Sequence, residues 1–151
     1  MGSCRDEIAA LIYTYAERID AGDFAGLADL FARGEITVEG VDRARRGRAE
    51  VLAMYEATTR RYQDGTPRTK HVTTNVMVDV DQAAETATAR SYFTVLQAVP
   101  GLLALQPVVA GRYHDRFERF DGEWCFARRH ITVDLAGQLG HHLLMEWDPD
   151  R

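Results

Sequence analysis

The chain has 151 residues and a formal net charge of −5. That is length enough to bury a core without staples and the wrong charge for a general nucleic-acid binder. Its two cysteines, Cys4 and Cys125, argue against a disulfide framework or a cysteine metal knuckle. No apolar run approaches the ~20 residues of a membrane span and the N-terminus lacks a basic-then-apolar leader, so a cytoplasmic location is expected.

In chain order, Ile8, Leu11, Ile12, Tyr15 and Ile19 recur at helical spacing and predict an amphipathic helix over 6–21. Gly22 stops it, and Asp23 is placed to cap a second, shorter helix carrying Phe24, Leu27, Ala28 and Phe31. Asp20 falls on the last turn of the first helix, where the helix dipole disfavours a carboxylate, so a compensating partner is expected. An alternating stretch at 35–39 predicts a short strand. Arg43, Arg45, Arg46 and Arg48 cluster around Gly47 and read as a solvated loop. A third helix is predicted over 47–63 with Val51, Leu52, Tyr55 and Tyr62, followed by turn chemistry in DGTP at 64–67.

From there the pattern is extended: 67–81, 85–99, 105–120 and 123–135. Helices first and long strands later predict an α+β fold, three helices on a curved, mostly antiparallel sheet, in one domain over 1–151 with a core of about 6–135 and a tail at 136–151. In PRTKHVTTNVMVDVD, Val72, Val76, Val78 and Val80 keep period two, while His71, Thr73, Asn75 and Met77 take the other face. Either both faces are covered, or a bulge near Thr73 and Thr74 re-aims His71 toward the valines. The pattern leaves both open.

A three-residue loop at Phe120, Asp121 and Gly122 would set Glu123 opposite Arg119 and Arg129 opposite Tyr113. That register puts Val109, Gly111, Tyr113, Asp115 and Phe117 on one side with Cys125, Ala127, Arg129, Ile131 and Val133. Trp124, His114 and His130 go to the other. Arg129 is then a guanidinium in an apolar row, and Asp115, diagonal to it, is its candidate partner. A structural pair and a role on a substrate are both compatible with this placement. The tail, AGQLGHHLLMEWDPDR, either closes over a pocket mouth or joins a subunit contact. His141 and His142 are adjacent and diverge on any regular element, so no metal site is expected there.

The order of these elements, with IDAGDF at 19–24, RTKHVTTN at 68–75 and DGEWCFARR at 121–129, resembles the SnoaL-like family of the nuclear-transport-factor-two-like superfamily. Within it the likeness is to the scytalone dehydratase and hexachlorocyclohexane dehydrochlorinase types, over roughly 6–135. The resemblance implies a cone-shaped α+β barrel and a hydrogen bond from His71 to Asp20. It matches a histidine followed by a Thr-Asn pair to His71, Thr74 and Asn75, and a functional arginine after the hairpin Gly-x-Trp to Arg129. It also marks departures. The dehydrochlorinase lysine one turn before the aspartate falls on Tyr15. The dehydratase's second histidine falls near Leu96, and its Ser and Asn fall near Gly111 and Tyr113.

A neutral imidazole is a usable base near pH 7, and an aspartate on its far nitrogen fixes the tautomer and stabilises the imidazolium. The expected activity is a cofactor-independent lyase or isomerase of dehydratase, elimination or cyclase type, on a polyketide-like or other mostly apolar small molecule. His71 takes the proton, Asp20 orients it, and Arg129 with Tyr15, Asn75 or Tyr113 holds the developing charge. Asp115 and Tyr55 complete the candidate substrate-binding set. A non-catalytic ligand-binding or protein-association module of the same fold is the alternative. No glycine-rich phosphate loop, Cys-His set or nucleophile elbow is present, so no cofactor and no metal are expected. The expected partners are a small molecule and a second copy of the chain, a homodimer with a trimer open, and neither nucleic acid nor membrane.

Overall fold

The computed structural model describes residues 2–146; the end of the tail, 147–151, lies outside the described residues. Helix α1 (Cys4–Asp20) opens with a capping box in which Ser3 Oγ accepts from the Asp6 amide at 3.2 Å and the Asp6 carboxylate accepts from the Ser3 amide at 3.1 Å. It buries Ile8, Ile12, Tyr15 and Ile19 of the predicted stripe together with Ala16, while Leu11 is half-buried. Helix α2 (Phe24–Asp29) is capped by the Asp23 carboxylate on the Gly26 amide at 2.8 Å.

Between them stands Gly22 at φ +74°. A Cβ there would lie 1.9 Å from the Gly65 carbonyl oxygen, so the end of α1 is in backbone contact with the DGTP turn. Only glycine permits both the backbone conformation and the approach. That contact sets Asp20 against the start of the first long strand.

The remaining elements are β1 (Glu35–Val38), β2 (Arg45–Arg46), α3 (Gly47–Thr58), β3 (Thr69–Asp81), β4 (Thr86–Val99), β5 (Leu103–Phe120), β6 (Glu123–Ala136) and a single 3-10 turn at Leu139–His141. They form one sheet in the order β2-β1-β6-β5-β4-β3, antiparallel except where β1 runs parallel to β6. Its edges, β2 and β3, do not pair with each other. The expected barrel is therefore a curved, unclosed sheet with three helices packed on it.

Helix α3 ends at Thr58, short of the predicted 63. Thr59 is extended (φ −110°, ψ 124°) and bridges Leu143 in the tail. The Arg60 amide then donates to the His142 carbonyl at 2.8 Å, and the Leu144 amide to the Thr58 carbonyl at 2.9 Å. The tail supplies the partners that another helical turn would have supplied, and β-branched Thr59 loses little by leaving.

Two bulges set the faces of the sheet. In β3 the pairing passes from Thr74↔Tyr92 to Met77↔Arg90, so Asn75 and Val76 together oppose Ser91; Asn75 takes φ +54°. The extra residue flips the alternation, and His71 and Thr73 join Val76, Val78 and Val80 on the half-buried side while Val72 is exposed. Of the two readings the pattern left open, the bulge is the one adopted.

The last hairpin corrects the predicted register. Phe120 pairs directly with Glu123 across a two-residue turn, Asp121 (φ +51°) and Gly122 (φ +80°), the geometry that follows strand twist. Trp124 and Phe126 are therefore buried in place of Cys125 and Ala127, and Trp124 does not take the outer face. A second bulge, from Phe117↔Phe126 to Arg116↔Arg128, then restores the expected parity, and Arg129 lies directly opposite Asp115 rather than diagonal to it. The other face of β4, β5 and β6 carries Tyr92, Arg112, His114, Arg116, Arg128 and His130, polar or half-exposed throughout.

Candidate functional site

The compensating partner for Asp20 is the first turn of β3. One Asp20 oxygen, Oδ2, accepts from the His71 backbone amide at 2.7 Å; the other, Oδ1, accepts from Thr69 Oγ1 at 2.9 Å and lies 2.6 Å from His71 Nδ1. Both side chains are nearly enclosed, 11 % exposed for Asp20 and 6 % for His71. Burial alone would raise the Asp20 pKa. The hydrogen bonds from the His71 ring and backbone and from Thr69 outweigh it, and the carboxyl is held below its ordinary value. An ionised Asp20 only accepts, so His71 Nδ1 carries the hydrogen, and in the neutral form of the ring the lone pair is on Nε2.

His71 forms part of the wall of a half-open cavity of about 400 Å³ lined by α1, α3, the inner face of the sheet and the tail. The wall is mostly apolar, from Ile19, Val38, Val95, Val109, Ile131 and Val133, with three phenols, Tyr15, Tyr55 and Tyr113. Tyr15 and Tyr55 are hydrogen bonded through their hydroxyls, and the Tyr15 and Tyr113 rings meet edge to face at 5.8 Å. Burial raises the pKa of all three, well above the usual phenol value for Tyr55 and Tyr113. They remain protonated; either Tyr15 or Tyr55 spends its hydrogen on the other, which leaves two hydroxyl hydrogens to donate.

Arg129 and Asp115 lie behind this wall and not in it. Arg129 Nε donates to Asp115 Oδ1 at 2.8 Å and Nη2 to Oδ2 at 2.9 Å, a bidentate pair with both side chains fully enclosed. The guanidinium sits 3.7 Å from the ring centre of Tyr113 and 4.3 Å from that of Tyr15. Burial works against its charge, but Asp115 more than offsets this, and the pKa rises above the ordinary arginine value. Asn75, on the β3 bulge, is exposed and borders a separate outer groove with Tyr92 and Arg112, so it does not reach the cavity.

A residue passed over in the sequence completes the wall. His142, from the tail, is 5 % exposed, and its ring lies 5.9 Å from that of His71, centre to centre. The tail is held by the bonds to α3 described above, by the Tyr62 hydroxyl on the His141 carbonyl, and by Gln97 Nε2 on the same carbonyl at 2.9 Å. His141 and His142 diverge as neighbours must, and only His142 lines the cavity. Its register against α3, which no local pattern encodes, is what brings it there. Among the described residues no group of His, Cys, Asp and Glu is arranged to hold a metal.

Burial, and then the neighbouring His71, push the His142 pKa down to about 4. The unfolded chain takes up this proton near pH 6.5 and the folded chain only near 4, so stability is complete above pH 6.5 and declines through that window as pH falls. The loss is on the order of 3 kcal/mol at most, less if the tail opens. Urea midpoints between pH 7 and 4.5 should fall for the wild type and stay flatter for His142→Phe. Parallel slopes would show that the ring is not held neutral.

An α+β fold with a curved open sheet, an apolar cavity under its helices and a carboxylate-backed histidine in the cavity wall defines the class of this protein. The chain belongs to the SnoaL-like domain family, whose model matches residues 3–130. Sequence comparison with curated proteins gives no match. Among solved structures, it is similar to a nuclear-transport-factor-two-like protein with a cystatin-like fold from Novosphingobium aromaticivorans, at 27% identity and TM-score 0.70, over 85% of this chain and 80% of that one. It is also similar to a putative scytalone dehydratase from the same organism (21% identity, TM-score 0.69, 90% and 93% coverage) and to LinA (20%, 0.69, 96% and 93%). The last two likenesses establish the fold alone. No helix among the described residues is long and apolar enough to cross a membrane.

Proposed function

We propose that this chain is a cofactor-independent lyase or isomerase that takes a proton from a small, mostly apolar molecule, of the polyketide-like or a related secondary-metabolite kind. One observation carries the proposal: a histidine in the cavity wall has one ring nitrogen tied to a carboxylate at 2.6 Å and the other free. Nε2 removes a proton next to a carbonyl or leaving group, and Asp20 stabilises the imidazolium that results. The negative charge that develops meets protonated phenols from Tyr15, Tyr55 and Tyr113. Arg129 acts through those rings from behind, while the neutral His142 offers a further hydrogen-bonding edge. Dehydration, elimination, double-bond shift and ring closure all begin with this step. The cavity volume is in the range of ligand sites, and its lining suits fused rings or a branched chain. We further propose that copies associate as a homodimer, which light scattering in solution would test.

The test is to extract any small molecule that co-purifies with the protein and follow exchange of its acidic proton in heavy water. Wild type should exchange it, and His71→Ala should slow exchange ~100-fold to ~10,000-fold while still binding the molecule. Equal exchange by the two would remove His71 as the base. Binding with no exchange by the wild type would favour a ligand-binding module of the same fold.

A further inference from the structure

Four arginines cluster between β1 and α3, and three of them have carboxylate partners. Arg43 Nη2 is 3.4 Å from Glu50, Arg46 Nε 3.0 Å from Glu35 and Arg48 Nε 2.5 Å from Asp29, all at the surface. Arg45 is different. Among the described residues it makes no ion pair and no side-chain hydrogen bond, and its Nη1 is enclosed with no partner. Strand parity is the cause: on two-residue β2, Arg46 points out to Glu35 and Arg45 points in, opposite the buried Ile36. Arg45 and Arg43 line the cavity, and no aspartate or glutamate does.

An enclosed guanidinium nitrogen without an acceptor is costly, because it has given up water and gained nothing in return. Everywhere else in the cluster the chain supplies the acceptor itself. We propose that the cavity takes an anionic ligand, an apolar ring or chain bearing a carboxylate, and that Arg45 binds that carboxylate. A single guanidinium matches a singly charged, planar carboxylate, whereas a phosphate would call for more positive charge than Arg45 and a half-committed Arg43 provide. The apolar remainder of the ligand lies against the valines and isoleucines of the sheet. This names the substrate class for the site proposed above and rests on the cavity being a ligand site. It does not rest on His71 chemistry.

Two acid and ester pairs test it by titration calorimetry on the intact chain: 2-naphthoate with its methyl ester, and decanoate with its methyl ester. At least one acid should bind about tenfold or more tightly than its ester. In Arg45→Met that acid should fall to the ester's affinity, with the ester's own binding unchanged. Because Arg45 has no protein partner, the thermal midpoint of Arg45→Met should equal or exceed that of the wild type, which separates a lost ligand contact from a lost fold. Equal affinity for acid and ester, binding of neither pair, or a preference for acid that survives Arg45→Met or vanishes in His71→Ala would overturn the proposal. The proton-exchange result for His71 is read independently, so either assignment can fail without the other.

Discussion

Asp20→Asn is expected to remove ~100-fold to ~10,000-fold of any turnover that depends on His71, while leaving the ligand bound and the fold intact. The His71 backbone amide can only donate, so the amide oxygen of the substituted side chain must take the place of Oδ2, 2.7 Å from that nitrogen. Its NH₂ then replaces Oδ1 and faces His71 Nδ1 and Thr69 Oγ1. A donor at that point forces Nδ1 to accept, which moves the ring hydrogen to Nε2, and the nitrogen toward the ligand loses its lone pair. Nitrogen–proton correlation NMR of the ring would report the tautomer without any substrate. Proton exchange on the co-purified ligand would report the rate. A ring that still carries its hydrogen on Nδ1 in Asp20→Asn would sink this account of what the carboxylate does.

The largest effect on stability should come from Arg129. Arg129→Met leaves the Asp115 carboxylate enclosed with no positive partner and should cost about 3–5 kcal/mol, a large share of the stability of an ordinary domain. Arg129→Met combined with Asp115→Leu removes both charges at once and should recover most of that loss, because two well-packed apolar groups carry no desolvation penalty. Urea unfolding of the single and double variants measures both terms. A single-variant loss under about 1 kcal/mol would mean that water reaches Asp115. The rings of Tyr113 and Tyr15, with centres 3.7 and 4.3 Å from the guanidinium, tie this pair to the cavity wall. The single variant should therefore also loosen that wall.

Most helices and strands were legible because their signals are local. Apolar spacing marked α1, Asp23 marked the start of α2, and Gly22 marked the break between them, each through contacts within a few residues. The long strands of the late chain followed from their extended spans and the turn chemistry between them. Two features depart from the local pattern, for different reasons. Helix α3 stops at Thr58 because Arg60 gives its amide to His142, 82 positions later in the chain by residue number. A three-residue loop would put Trp124 on the outer face, and the two-residue turn reverses that parity until Ala127 restores it.

The sequence by itself determined which residues are charged, phenolic or basic, and which spans must be helical or extended. It marked Asp20 as a carboxylate that needs a partner and Arg129 as a charge that needs Asp115, since an unfavourable helix end and an ion in an apolar row are local facts. Tertiary structure alone decided which way those groups face. An extra residue at Asn75 turns His71 inward, the pairing of the tail with Thr59 delivers His142, and the parity of a two-residue strand separates Arg45 from its neighbours. Side-chain direction on a strand reverses with every single-residue slip, and register is chosen by the whole sheet at once, so no stretch read alone could contain it.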